Sequence, residues 1–193
     1  MLKYSGAVAS ADWIVHSDID PGRLITYGPA GFDAYARLRF LRDPAYVGEP
    51  EGGTEPLDIS PRMQLEVLVR AVDALIPFTS SPDRGYFCVW ESGVTSPSAM
   101  TREHAHIEVP WRDSFLIEGP LPELGAWYED LRLDTYDHPS FIWPADHTWC
   151  IAADVDPHWA GIGASAAAIE SLLQAPGLDC VAADPDAPVA QYG

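Results

Sequence analysis

Residues 141–175 constrain the fold of this 193-residue chain more than any other stretch. Their sequence, FIWPADHTWCIAADVDPHWAGIGASAAAIESLLQA, has the order of a strand, an acidic turn, a glycine-rich strand and a capped helix. Ser165 is placed to cap the helix, and Gly161 and Gly163 indicate a strand that packs closely against another backbone. The segment predicts architecture, but it contains no catalytic or cofactor motif.

Apolar patterns elsewhere predict one long helix and several strands. Ser60 is a suitable N-cap, Pro61 takes the first helical position, and apolar residues recur with helical spacing from Leu65 to Ile76. HAHIEV and DSFLIEG flank PWRD and can pair as a hairpin, and ELGAWYEDL indicates a short helix. The other predicted strands are WIV at 13–15, LITY at 24–27, YARLRFL at 35–41, RGYFCVW at 84–90 and LDCVA at 178–182. For the third of these, FDAYARL could also begin a helix.

These elements predict an α+β fold. Short strands with hairpin-like spacing favour a largely antiparallel sheet, with two or three helices packed against it. The length suits a single domain over residues 1–193, which can bury about 70% of the surface of the unfolded chain. Residues 43–60, DPAYVGEPEGGTEPLDIS, are rich in Pro, Gly and Glu and lack periodicity, so they predict a flexible surface loop.

The charge of the chain restricts its partners. It has 29 acidic and 11 basic residues, which give a formal net charge of −18. Such a surface repels phosphate backbones and attracts basic proteins, so we expect no nucleic-acid binding and, where there is a partner, a basic protein. The alternative interpretation is that the acidity only keeps the protein soluble.

The cysteines and the apolar runs indicate a cytoplasmic protein. Cys88, Cys150 and Cys180 have no CxxC spacing, which argues against a disulfide framework and a cysteine-rich zinc site. Cys88 and Cys150 stand among apolar residues and are expected in the core. The first residues make a poor signal peptide, and no run reaches the ~18 apolar residues of a membrane helix.

Histidines and aspartates offer the main chemical alternative, a metal-dependent enzyme or metal-binding protein. His104 and His106 would share one face of a strand, where two imidazoles could ligate an ion, but an ordinary solvated strand face is the simpler explanation. Asp154 and Asp156 precede His158 and could hold a cation, although DxDP is also an ordinary turn. A further ligand can be nominated only by residue type from His138, His147, Asp146 and Glu108.

No other segment predicts catalysis or a cofactor. GIGAS lacks the third glycine of a dinucleotide fingerprint and the GK[ST] of a P-loop, and the chain has no GxSxG. We therefore assign no catalytic residue and expect no cofactor. Trp111, Trp143 and Trp159 stand beside Pro or turn residues, and partly exposed tryptophans near acids suit a protein interface. The candidate interface residues are Trp111, Trp143, Asp146, Asp154, Asp156 and Trp159.

Three patches, WPADHTWCIAADVD…GIGASAAAIESLL, PAGFDAYARL and SPDRGYFCVWE, carry a family resemblance. In them the chain resembles a widespread, largely uncharacterised family of bacterial proteins from high-GC genomes, with a pattern close to W-P-x-D-R-x-W, a D-x-D or E-x-D strand end, a Gly-Gly-Ser turn and a helix. His147 stands where that pattern has Arg, and GIGAS replaces V-G-G-S. The first patch also resembles the C-terminal half of SMI1/KNR4-like (SUKH) domains, many of which are toxin-immunity or partner-binding modules.

Charge, tryptophans and resemblance together lead to one functional hypothesis. We expect a non-enzymatic, acidic protein-binding module, of the immunity type, that binds and occludes a basic protein partner. The alternatives are the metal-dependent protein described above and a structural or assembly component with a large self-interface. The sequence does not fix the oligomeric state.

Overall fold

The computed structural model describes residues 1–51, 60–91, 105–131, 138–154 and 157–193. Within these ranges the chain forms a nine-stranded sheet in which all paired strands are antiparallel. The strands are β1 (Lys3–Tyr4), β2 (Ala34–Arg39), β3 (Gly85–Trp90), β4 (His106–Val109), β5 (Arg112–Gly119), β6 (Phe141–Pro144), β7 (Trp149–Ala152), β8 (Trp159–Ala164) and β9 (Cys180–Ala183). The predicted α+β class with a largely antiparallel sheet is confirmed.

The strand order places the 141–175 segment in the middle of the sheet. The order is β1-β5-β3-β6-β7-β8-β2-β9, and β4 pairs with the edge of β5 that β1 also uses. Strands β6, β7 and β8 come from that segment, and Ile142, Ile151 and Ile162 lie side by side across them. β4 and β5 form the predicted hairpin, with Val109 opposite Arg112. The hairpin and β9 therefore lie near opposite ends of the sheet.

The helices of the described ranges number five, against the two or three that the sequence predicts. They are α1 (Asp12–Val15), α2 (Pro21–Tyr27), α3 (Pro61–Leu75), α4 (Trp127–Leu131) and α5 (Ala166–Gln174), with short 3-10 turns at Val8–Ala11, Ile76–Phe78 and Leu121–Ala126. Both predicted caps are present, because Ser60 accepts the Met63 N–H at 3.4 Å and Ser165 accepts the Ala168 N–H at 3.3 Å. The additional helices are all short. Two of them, α1 and α2, stand where the sequence predicts strands.

Strands predicted at 13–15 and 24–27 are wrong, because these runs belong to α1 and α2. The Asp20-Pro21-Gly22 sequence, which is also typical of a turn, starts a helix here. The Asp20 carboxylate accepts the Arg23 N–H at 3.0 Å, and Pro21 takes the first helical position. Apolar runs of three or four residues carry too little periodicity to distinguish a short helix from a strand.

Helices cover both faces of the sheet. On one face, α3 and α5 bury residues such as Leu68 and Leu172 in the same core as Phe87 and Val89 of β3. On the other face, α1 and α2 pack with the alternate residues of the same strand, including Cys88. Each strand therefore contributes to two cores. Cys88 and Cys150 are fully buried, as the sequence predicts.

Gly161 explains how α2 can approach the middle of β8. A Cβ at this position would lie 2.0 Å from the Thr26 carbonyl oxygen and 2.8 Å from the Tyr27 Cα. Neither atom belongs to a flexible side-chain end, so the helix could stay in place only without a side chain on the strand. This contact confirms the predicted close packing of the glycine-rich strand.

Two further predictions concern the loop at residues 43–60 and membrane-spanning helices. Residues 52–59 of the loop predicted to be flexible lie outside the described residues, whereas Asp43 and Glu49 in its first part form ion pairs with arginines. No helix in the described part of the chain combines the length and the apolar character that crossing a bilayer requires.

Candidate functional site

A row of carboxylates crosses the β4–β5 hairpin. Glu108 of β4 lies directly opposite Asp113 of β5, and both side chains are exposed. The Glu91 N–H donates to the Asp113 carbonyl at 2.9 Å, which places Glu91 beside Asp113 on the other side. We call Glu91, Glu108, Trp111 and Asp113 the acidic hairpin surface. Like charges directly opposite each other destabilise a strand pair, so this row has an energetic cost.

Trp111 stands at the tip of the same hairpin. Its side chain is 72% exposed, and its backbone has φ 66°, in the left-handed region. After Pro110, a position with positive φ normally favours glycine, because a side chain is strained there. The chain therefore presents a large aromatic ring to solvent at a position where it is disfavoured. Of the three tryptophans predicted to be partly exposed, this one is exposed.

Trp143 and Trp159 are buried, and the prediction of their partial exposure is wrong. Their exposed fractions are 0% and 4%. Trp143 packs against Tyr86 with ring centroids 5.7 Å apart, and Trp159 packs against Tyr27 at 4.9 Å. Neighbouring Pro and turn residues mark the ends of strands in this chain, and those ends are covered by α1 and α2.

Asp154 connects the 141–175 segment to the hairpin. It does so on the face of the sheet opposite to the row of carboxylates. It is 6% exposed and forms an ion pair with Arg112. The Arg112 guanidinium also lies over the Trp90 ring, 4.5 Å from its centroid. Asp154 is therefore placed in a buried ion pair and not on an exposed interface. Asp156, its partner in the predicted DxD pair, lies outside the described residues.

Asp146 is occupied by hydrogen bonds within the molecule. Its carboxylate accepts the Ser80 N–H at 2.7 Å and hydroxyl groups of Thr79, Ser80 and Thr148 at 2.8 to 2.9 Å. Burial alone would raise the pKa of Asp146, but these donors together hold it well below its usual value. The residue ties the β6–β7 turn to residues 79–81.

His106 and His158, the two described histidines of the metal hypothesis, do not come together. His106 lies on β4 and contacts Glu91 at 3.4 Å, while His158 precedes β8 and contacts Asp43 at 3.3 Å. Four strands separate β4 from β8 in the sheet. His104 lies outside the described ranges, and within those ranges no group of three or more His, Cys, Asp or Glu residues could hold a metal ion.

His158 belongs instead to a polar cluster around Asp43. Arg37 binds the Asp43 carboxylate with two hydrogen bonds, at 2.5 and 3.0 Å, and Arg39 adds one at 3.0 Å. The hydrogen bonds from Arg37 have the largest effect on the pKa of Asp43 and lower it, whereas burial raises it. Together with the hydrogen bonds from His158 and Arg39, they hold this pKa well below its usual value. Arg39 also pairs with Asp179 at 2.6 Å, so arginines and carboxylates alternate.

Many of the lysine and arginine side chains form ion pairs with carboxylates. Seven Lys and Arg residues within the described ranges pair with carboxylates: Lys3, Arg23, Arg37, Arg39, Arg42, Arg62 and Arg112. The chain has 29 acidic residues in all, so these pairs leave a large excess of carboxylates. Three of these carboxylates lie on the acidic hairpin surface beside the exposed ring of Trp111.

The acidic row was missed by the sequence interpretation, although a signal for it existed. A hairpin that turns at Pro110 and Trp111 pairs Val109 with Arg112, and the next pair is then Glu108 with Asp113. The predicted hairpin thus already contained the facing carboxylates. Glu91 carried no such signal, because its position depends on the long-range pairing of β3 with β5.

Comparisons with known proteins add no relative to this description. Searches with protein-family models, among curated proteins and among solved structures found no match for the chain.

Proposed function

We propose that the chain is a non-enzymatic, acidic protein-binding module of the immunity type, which binds and occludes a basic protein partner. The partner would dock on the acidic hairpin surface. The observation that carries the proposal is the facing of Glu108 and Asp113 across the hairpin, beside the exposed ring of Trp111.

The facing carboxylates favour a basic partner. Opposed like charges cost roughly 0.2 to 1 kcal/mol per pair in the free protein. A lysine or arginine of the partner, placed between Glu108 and Asp113, would replace this repulsion by attraction. Within the described part of the hairpin, Arg112 pairs with Asp154 and His106 contacts Glu91 at 3.4 Å at the end of the row. The net charge of −18 would in addition speed the encounter with a basic protein.

Trp111 would supply the apolar anchor of the interface. Tryptophan is enriched among the residues that contribute most to binding free energy, because a large rigid ring can be buried in a partner's pocket. Here the ring is already presented to solvent on a two-residue turn. The backbone strain at Trp111 is a local cost that docking of the ring could offset.

The test uses purified products of the genes adjacent to the gene for this chain. Each product is titrated against the wild-type protein and against a hairpin variant, Trp111→Gly with Glu108→Gln. A control variant, Glu170→Gln on α5, keeps Trp111 and Glu108 and removes one exposed charge elsewhere, so it separates a local effect from a general loss of charge. Calorimetry gives the dissociation constant, and light scattering of the same samples detects self-association, the assembly alternative.

We expect one basic product to bind the wild type and the control equally. The hairpin variant should bind it at least about thirtyfold more weakly, since a single anchor residue contributes about 2 kcal/mol or more. Equal binding by the hairpin variant, an acidic partner, or no binding by any product would contradict the proposal.

A further inference from the structure

A cleft of about 300 Å³ lies at the other end of the sheet from the acidic hairpin surface. It is bounded by Tyr27 at the end of α2, by Arg37 of β2, by Asp43 and by the segment 182–190. The lining residues from that segment are small or apolar except one: Ala182, Ala183, Asp184, Ala187, Pro188, Val189 and Ala190. This cleft has no role in the function proposed above.

Tyr27 brings an unused hydrogen-bonding group to the cleft wall. The residue is only 4% exposed, and its hydroxyl is buried without a hydrogen-bond partner. Its ring is held by Trp159 at 4.9 Å and by Tyr35 at 6.2 Å. A buried hydroxyl without a hydrogen-bond partner destabilises the protein, so a ligand that supplies a partner would recover that free energy.

Charges around the cleft favour a cation. Arg37 and Arg39 are both bound by carboxylates, Asp43 and Asp179, so these four groups are neutral together. Asp184 is exposed and has no ion pair with another described residue. Burial raises the pKa of the Tyr27 hydroxyl, Arg37 lowers it, and Asp184 raises it, so the Asp184 carboxylate lies near that hydroxyl. One negative charge therefore remains, in a protein whose net charge already repels anions.

We propose that this cleft binds a primary alkylammonium group. The ammonium binds the Asp184 carboxylate and donates a hydrogen bond to the Tyr27 hydroxyl oxygen. The short alkyl chain packs against Pro188 and Val189. An ammonium supplies three donors, which suits a site with a carboxylate and a hydroxyl acceptor.

The residues that cover the Tyr27 hydroxyl have to move before a ligand can contact it. The Tyr27 hydroxyl oxygen is screened from water, so a ligand reaches it only when the covering residues shift. Residues 184–190 belong to no helix or strand. The Asp184 carbonyl and carboxylate accept the Ala187 and Asp186 N–H groups, both at 3.0 Å, and Asp186 forms an ion pair with Arg23 at 2.6 Å. A small displacement of residues 188–190, which follow these contacts, therefore disrupts little structure.

The alkylammonium group can belong to a free amine or to a lysine side chain of a peptide. Two titrations distinguish these sources. One uses n-butylammonium chloride, with 1-butanol and sodium butyrate as neutral and anionic controls. The other uses the peptide acetyl-Ala-Lys-Ala-amide, with its Nε-acetylated form as control. Amide chemical shifts of the full chain report where each probe binds.

Three variants test the assignment. Asp184→Asn removes the counter-ion, Tyr27→Phe removes only the hydroxyl, and Glu170→Gln removes an exposed carboxylate on the other face of the sheet. Because the hydroxyl has no partner in the free protein, Tyr27→Phe should fold with unchanged or slightly higher stability. It can therefore be tested without concern for misfolding.

We expect saturable shifts confined to the cleft, with a dissociation constant of about 1 mM for a probe of this size. Asp184→Asn should weaken binding about tenfold or more, Tyr27→Phe severalfold, and Glu170→Gln not at all. Shifts that do not saturate, shifts spread over many surface carboxylates, or unchanged binding by Asp184→Asn would overturn the proposal. Because none of these variants touches the hairpin, their outcome is independent of the function proposed above.

Discussion

Two non-glycine residues in the described ranges have positive φ, and their surroundings differ. His147 has φ 54°, and its ring is stacked on Trp13 with centroids 4.2 Å apart, so packing compensates for the backbone strain. Trp111 has φ 66° and is 72% exposed, so little packing compensates there. Strain that persists without local compensation is typical of residues kept for function. The contrast supports Trp111 as the anchor of the proposed interface.

Replacing Trp111 by glycine should stabilise the free protein. Glycine adopts positive φ without steric cost, whereas an L side chain there costs roughly 1 kcal/mol. We expect the free energy of unfolding in urea to rise by about 1 kcal/mol in Trp111→Gly. Trp111→Ala is the matched control, because it removes the ring and keeps the Cβ; it should leave stability nearly unchanged. A lower stability of the glycine variant would show that the ring has a structural role.

Gly161 is the residue at which a single methyl group should do most damage. Its Cβ would meet the Thr26 carbonyl oxygen at 2.0 Å, and moving that atom means moving α2 away from β8. We expect Gly161→Ala to lower the free energy of unfolding by about 3 kcal/mol, by overpacking. Gly6 is the control, because a Cβ there meets nothing within 4 Å. Urea titrations of both variants measure the difference; equal stabilities would refute the close contact.

At the scale of elements, long and strongly patterned segments were predictable and short ones were not. The helix α3 has fifteen residues, a cap and an apolar stripe, and its prediction is confirmed. α1 and α2 have four and seven residues, and their short apolar runs predict strands instead. The hairpin β4–β5 is predicted by the two runs that flank PWRD, and its pairing is confirmed, but its register comes from the structure. The partners of Asp146 and Asp154 were not predictable, because they come from distant parts of the chain.

Asp146 should make the β6–β7 turn sensitive to acid. Its carboxylate accepts from the Ser80 N–H and from three hydroxyls, so Asp146→Asn would place an amide donor against donors. We expect the variant to lose about 2 kcal/mol of unfolding free energy at pH 7. The folded-state pKa of Asp146 is lowered, so its stabilisation is present above the unfolded pKa of about 3.9 and is lost as pH falls below it.

Urea unfolding of both proteins between neutral and acidic pH provides the measurement. The difference in stability between wild type and Asp146→Asn should shrink once the pH falls below about 4. Asp43 has a lowered pKa for a different reason, its arginine partners, and remains in both proteins. Its contribution therefore cancels in the comparison. A difference that grows as the pH falls would contradict the assigned direction of the pKa shift.

At the scale of the whole molecule, composition gave the net charge but not its arrangement. The sequence predicted an acidic surface and a basic partner, and it nominated six interface residues. In the structure, Trp143, Asp154 and Trp159 are buried, and Asp146 is hydrogen-bonded within the molecule. Apolar neighbours along the chain say little about exposure when helices cover both faces of a sheet. Charge pairing across strands, which sets the acidic hairpin surface, required the register.

Salt should affect the stability and the binding of this protein in opposite directions. A net charge of −18 repels itself, and the described ion pairs involve only a minority of the 29 acidic residues. At an ionic strength of 0.15 M, charges more than about 8 Å apart are screened, so added salt relieves the long-range repulsion more than it weakens short ion pairs. We therefore expect sodium chloride to raise the free energy of unfolding in urea.

The same screening should weaken the encounter with a basic partner and lower the association rate. Unfolding and stopped-flow binding over one salt series measure both effects. If salt lowered the stability, the ion pairs would outweigh the repulsion; if salt left the association rate unchanged, the acidic surface would not attract the partner.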